Sequence, residues 1–113
     1  MNTVTIGISS LKDAKTRTAA AFRGKKQGAR ISFASEELLW KILTPKRWAL
    51  LKAMAGQGSL AIREIARRVD RDVRAVHSDV HALRKAGVLK RDGDGRVFFR
   101  YDAIHVDFLL RTA

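Results

Sequence analysis

The residues with recognisable chemistry lie between positions 63 and 100. Arg74, Ser78, His81 and Lys85 recur at steps of three and four, so a helix turning about 100° per residue lines them up on one side, with His77 on the flank. No acidic residue shares that side, and Asp79 falls to one edge. Val73, Val76, Val80 and Leu83 gather on the opposite side, which reads as the core face. A row of guanidinium, imidazole, hydroxyl and ammonium groups suits the floor of a DNA major groove. Arg74 can bond bidentately to guanine O6 and N7, His77 and Ser78 can donate or accept at base edges, and Val73, near the helix start, can meet a thymine methyl. A solvated charged face is the plainer reading of any single basic helix.

The flanking segments favour the DNA reading. Ile62, Ile65, Ala66 and Val69 place a short amphipathic helix over about Leu60 to Val69, carrying Arg63, Arg67 and Arg68. Asp70-Arg71-Asp72 then makes a turn and a new cap, and the basic helix runs to about Ala86, where Gly87 ends it. Val88 to Tyr101 reads as two strands joined by Asp92-Gly93-Asp94-Gly95, with Val97, Phe99 and Tyr101 inward and Arg96, Phe98 and Arg100 outward. Lys90 and Arg91 add charge on the facing strand. Two helices across a tight turn, then a basic hairpin, is the order of a winged helix-turn-helix. In that architecture Arg63, Arg67 and Arg68 position phosphates, and Lys90, Arg91, Arg96 and Arg100 supply salt-dependent affinity. Charged edge-strand protection is the alternative role for the hairpin charges. Arg47 has two open readings, a backbone contact or a salt bridge to Glu36 or Glu37.

Composition agrees with a polyanionic partner. Twenty-three Lys and Arg against eleven Asp and Glu give a formal charge of +12 on 113 residues. The basic residues are interleaved with apolar periodicity instead of forming a polybasic run, which favours nucleic acid over a membrane surface. Cysteine is absent, which removes disulfides and thiolate chemistry. No apolar run approaches a membrane span or a signal h-region, so a cytoplasmic location is expected.

The remainder of the chain supplies scaffold. Val4, Ile6 and Ile8 alternate with Thr3, Thr5 and Gly7 as a strand with one buried face. Ser9 or Ser10 can cap a thin-striped helix from Leu11 to about Phe22, and Gly24 to Gly28 is the linker-like stretch. Arg30-Ile31-Ser32-Phe33 reads as a second strand before Ser35 caps a short helix carrying Leu38, Leu39 and Ile42. Thr44-Pro45 opens a helix to about Ala55, with Trp48, Leu51 and Ala55 on one face. Ile104, Val106 and Phe108 alternate as a last strand. The expected architecture is α+β: a winged helix-turn-helix over 35–113 with an N-terminal strand-helix-strand extension over 1–34 for dimerisation or partner binding.

The pattern Ile62-x-Glu64-Ile65-Ala66, then Val76, Val80, Leu83 and Ala86-Gly87-Val88-Leu89, closing on Arg100-Tyr101, resembles MarR and ArsR type winged-helix regulators. With Ile31-Ser32-Phe33, Leu43-Thr44-Pro45-x-Arg47-Trp48 and Tyr101-Asp102-x-Ile104-His105-Val106 added, the chain also resembles a small prokaryotic family of DNA-binding, antitoxin-like regulators. The resemblance implies an autoregulating repressor. It carries, as the alternative, an antitoxin that neutralises a cognate toxin protein through its N-terminal region. Arg71 departs from the MarR pattern, where the turn position is apolar, so the turn is either more exposed or touches phosphate itself.

Other classes fit less well. His77 and His81 at i,i+4 could share a metal, but no Cys and no clear third ligand accompany them, so neither metal nor cofactor is expected. No phosphate loop, nucleophile elbow or paired carboxylates indicate an enzyme. A ligand-sensing cavity would need a dimer interface in so short a chain. RNA binding would call for stacking aromatics on an exposed sheet, whereas the two Trp, one Tyr and five Phe sit mostly at core-period positions. The expected partners are double-stranded DNA and a second copy of the chain, in a homodimer that reads two half-sites.

Overall fold

The computed structural model describes residues 1–8 and 29–109. The helix expected over Leu11 to Phe22 and the linker Gly24 to Gly28 lie outside these residues. The described chain is a small α+β unit of strand β1 (Thr3–Ile8), β2 (Arg30–Phe33), helix α1 (Glu36–Ile42), α2 (Pro45–Met54), α3 (Ile62–Val69), α4 (Val73–Lys85), a hairpin of β3 (Lys90–Arg91) and β4 (Val97–Phe98), and β5 (Ala103–Asp107).

The first sheet joins the two ends of the sequence. β1 lies between β2 and β5 and is parallel to both, with Ile6 opposite Ile31 on one side and Val106 on the other. Val4 and Ile6 are fully buried, as their alternation requires. Gly7 allows the close approach of β5, since a methyl group there would collide with the Asp107 carbonyl. The Asn2 side-chain amide also donates to Arg100 O at 3.1 Å, and the Asn2 backbone N–H donates to Asp102 Oδ2 at 2.9 Å. Val4, Ile6 and Phe33 thus share one core with Leu39, Leu50 and Ile65 of the helices.

Local signals set the helix starts. Ser35 Oγ accepts from the Leu38 N–H at 3.2 Å, and Thr44 Oγ1 accepts from the Arg47 N–H at 3.4 Å with Pro45 following. The fully buried residues of α2 are Leu50, Leu51 and Met54; of the expected face, Leu51 is among them, while Trp48 and Ala55 are partly buried against the same core. α2 turns its fully buried residues toward α3, while Trp48 overlooks a groove toward β5 lined by Lys52, Ile104 and Val106. β5 is an edge strand beside that groove, which leaves Val106 exposed although it keeps strand alternation. No described helix is long and apolar enough to cross a membrane.

Candidate nucleic-acid interface

The site is assembled from three pieces: α3, α4 and the β3-β4 hairpin. α3 buries Ile65 and Ala66, so its arginines face outward. It starts at Ala61 with no side-chain cap and ends at Asp70 in the left-handed conformation, φ 52°. An aspartate tolerates that conformation better than most residues. The Arg71 N–H donates to Ala66 O at 3.0 Å, which turns the chain sharply into α4.

α4 divides into two faces. Val76, Val80 and Leu83 are buried, while Arg74, His77, Ser78, His81, Arg84 and Lys85 are exposed. Val73 departs from the expected core face: at the first turn of α4 it is 42% exposed, beyond the reach of the core that covers Val76. Asp72 occupies the cap position but makes no side-chain cap hydrogen bond. The helix stops where Gly87 takes φ 83°. There the Gly87 N–H donates to Arg84 O at 3.0 Å and the Val88 N–H to Leu83 O at 2.9 Å, the double closure that favours glycine.

The hairpin is fastened at both its base and its tip. Leu60 and Val97 exchange backbone hydrogen bonds of 2.8 and 2.9 Å, so β4 is anchored to the segment that leads into α3. At the tip, Asp92 Oδ1 accepts from the N–H groups of Asp94 and Arg96, both at 2.9 Å. The Ser59 hydroxyl, followed by those backbone donors, holds the Asp92 carboxyl below its ordinary range. Val97 and Phe99 are buried and Tyr101 half-buried, with Phe99 and Tyr101 edge-to-face at 5.4 Å. Arg96 and Arg100 are exposed, and Phe98 is half-buried.

The charged candidates therefore fall into two groups. Arg63, Arg74, Lys85, Lys90, Arg91, Arg96 and Arg100 are exposed, and none of them belongs to an ion pair among the described residues. Arg67 and Arg71 are engaged. Arg67 is 73% exposed, but its guanidinium grips Glu64 through two hydrogen bonds, and Arg68 reaches the same carboxylate at 2.9 Å. These hydrogen bonds lower the Glu64 carboxyl from 4.5 to about 2. Arg71 corrects the expectation of a more exposed turn: its Nη1 lies 2.8 Å from Asp79 Oδ2 and the side chain is only 20% exposed. Arg47 bonds to Asp79 as well, at 3.0 Å, and not to Glu36 or Glu37.

Two features went unseen in the sequence. Arg84 joins His81, Lys85, Lys90 and Arg91 around a concavity of about 490 Å3 between the end of α4 and β3, large enough for a phosphate group and its hydration. Its position between the two faces of α4 hid it from a projection that sought only their centres. Asp79 is the second, since a helical edge gives no sign of partners 32 and 8 residues away. His77 and His81 stand one turn apart, and among the described residues no group of three His, Cys, Asp or Glu is placed to hold a metal.

No curated protein matches this sequence, and no solved structure matches it. A protein-family model, HVO_A0114, matches residues 42–106, which run from the end of α1 through α2, α3, α4 and the hairpin into β5. The match takes in more than half of the 113 residues and every element of the site, and the chain belongs to the HVO_A0114 family.

Proposed function

We propose that the protein is a sequence-specific regulator of transcription that binds double-stranded DNA as a winged helix-turn-helix, with α4 in the major groove and the β3-β4 hairpin as the wing. The observation that carries this reading is the bare outer face of α4. Arg74, His77, Ser78, His81 and Lys85 are all exposed, no carboxylate is exposed among them, and the face runs on through Arg84 to Lys90 and Arg91 of the hairpin. Arg74, His77, Ser78 and the exposed Val73 lie in the first half of α4, the part of a recognition helix that meets base edges. Arg63, Lys90, Arg91, Arg96 and Arg100 are left for phosphates.

Three further observations support the same function. The Leu60–Val97 bridge ties the hairpin to the chain entering α3, so the wing and the helix pair form one rigid frame. The formal charge of +12 supplies electrostatic attraction to a polyanion. Trp40, Val106 and Leu109 are exposed apolar residues away from α4, a surface suited to a second copy of the chain on a two-fold DNA site.

The test is titration of the purified protein with the duplex upstream of its own gene and with a scrambled duplex of equal length, across a range of salt. Tighter binding to its own upstream DNA that persists near physiological salt is expected. Equal, steeply salt-sensitive binding to both would reduce the protein to a non-specific cation. Sedimentation of the complex gives the number of subunits per site, two being expected.

A further inference from the structure

One carboxylate ties together most of the frame behind α4. Asp79 Oδ1 accepts from Arg47 Nε at 3.0 Å, and Asp79 Oδ2 lies 2.8 Å from Arg71 Nη1. The side chains of Arg47, Arg71 and Asp79 are 18%, 20% and 15% exposed. Arg71 Nη1 and Asp79 Oδ2 are shut off from water and compensated by each other's charge, not by a well-aligned hydrogen bond. Arg47 Nη1 also donates to the carbonyl of Ile42 at 2.9 Å, at the end of α1. α4 is thereby fixed to the beginning of α2, to α1 and to the turn after α3.

An ion cluster of this kind adds little net stability over apolar packing, because removing three charged groups from water is costly. It does admit few geometries, since each guanidinium must meet a carboxylate oxygen whose place is set by α4. It also removes two cations from a surface on which Arg74, Arg84 and Lys85 of α4 are bare among the described residues. A guanidinium free to reach phosphate strengthens binding to every sequence alike, so it raises affinity for wrong sites as much as for the right one and adds no discrimination.

We propose that Asp79 is a positioning residue that withdraws Arg47 and Arg71 from the phosphate backbone and locks α4 to α2 and the preceding turn, leaving discrimination between sequences to the first half of α4. This rests on the DNA-binding reading above and deepens it. Arg71 follows α3 directly and is one residue from the N-terminal end of α4, where a displayed guanidinium would meet the sugar-phosphate backbone without regard to sequence.

The experiment compares the full chain with Asp79→Asn and Arg71→Gln variants, measuring affinity for the chain's own upstream duplex and a scrambled one as salt is raised. Asp79→Asn keeps the shape and removes the charge. Its binding to scrambled DNA should strengthen and its plot of log affinity against log salt should steepen by about 0.9 for each guanidinium that gains a phosphate, while the release of α4 from its lock, which seats the first half of the helix less well on base edges, should lower its preference for the upstream duplex about tenfold. Arg71→Gln should leave the salt slope of the wild type unchanged. A slope shallower by about 0.9 in Arg71→Gln would place Arg71 on phosphate and overturn the proposal. So would an Asp79→Asn protein that loses affinity for both duplexes equally with no steepening, the signature of a purely structural role. If Asp79→Asn lacks wild-type helical circular dichroism, Arg71→Gln decides alone. A wild-type protein that prefers neither duplex overturns the DNA reading and this inference with it, whereas a discriminating wild type with an unaltered Asp79→Asn removes this inference only.

Discussion

α3 and α4 are neighbouring helices with basic outer surfaces, yet the charges on them are in different states. On α3, Arg67 and Arg68 both close on Glu64, and Arg68 Nη1 donates to Gln57 as well. On α4, Arg74, Arg84 and Lys85 take no part in any ion pair among the described residues, and the one acid of the helix is turned inward to Arg47 and Arg71. The number of cations on a helix therefore says little about what it offers to a polyanion. The location of the acids decides that: Glu64 lies on the surface of α3 and engages two of its three arginines, while Asp79 lies beside the core and leaves the surface of α4 bare. Ion pairs at i,i+3 and i,i+4 on an exposed helix are weak, because water screens both charges and two long side chains must be held still. Phosphates can thus exchange for Glu64 as partners of Arg67, whereas the pairing of Arg71 is shielded from that exchange.

The contrast can be broken most severely from below. Leu83 is fully buried beneath α4, and Leu83→Ala should cost about 2–5 kcal/mol of stability, read as a lowered melting temperature. A loss well under 1 kcal/mol would mean that α4 is held chiefly by its polar contacts. At the surface, Arg74→Ala should reduce discrimination at one base pair by about 1–3 kcal/mol, while Arg67→Ala should leave discrimination unchanged and weaken all sequences slightly. Equal effects of the two changes on specific and scrambled DNA would erase the distinction between the helices. Ala61→Ser supplies the cap that α3 lacks and should stabilise the protein by about 1 kcal/mol with no change in the ratio of the two DNA affinities.

The smallest effect is in acid. Because the folded Glu64 carboxyl is lowered to about 2 from 4.5, its contribution to stability is complete above about pH 4.5 and is lost as pH falls toward 2. Glu64→Gln should lower stability slightly at neutral pH and flatten the curve between about pH 4.5 and 2, the two proteins converging in acid. An identical acid limb in the variant would show that Arg67 and Arg68 spend little time on this carboxylate in solution. Being exposed, the pair is also weakened by salt, so the difference should shrink as salt is added.

Much of this arrangement was legible in the sequence wherever the signal was periodic or local. Val76, Val80 and Leu83 marked the inner face of α4, Gly87 its end, Thr44-Pro45 the start of α2, and Val97 and Phe99 the inward side of the hairpin. Long-range pairing left no such trace. Nothing in the alternation of Val4 and Ile6 says that β1 runs parallel to a strand about a hundred residues later, since one buried face is compatible with many neighbours. Val73 was misplaced because helical projection assumes that the core extends beneath the whole helix, and here it ends before the first turn. Arg71 and Arg47 were misread for a related reason: their shared partner, Asp79, sits on a helix edge where the local pattern assigns no role. Among the candidate residues, those on the exposed face of α4 and the charged ones on the hairpin are where the periodicity put them; apart from Val73, the exceptions are those whose partners come from another element.

The central position of β1 also has a consequence in time. Ribosomal synthesis makes Val4 and Ile6 before Ala103 to Asp107, so one flank of β1 has no strand to pair with until nearly the whole described chain has emerged. Contacts across such a separation close late and slow the search for the native state, because the intervening chain must be ordered first. A polypeptide cut short before residue 103 can still contain α3, α4 and the hairpin, but its β1 presents an open, apolar edge of the kind that aggregates or is degraded. Only a chain translated through β5 can therefore close the sheet.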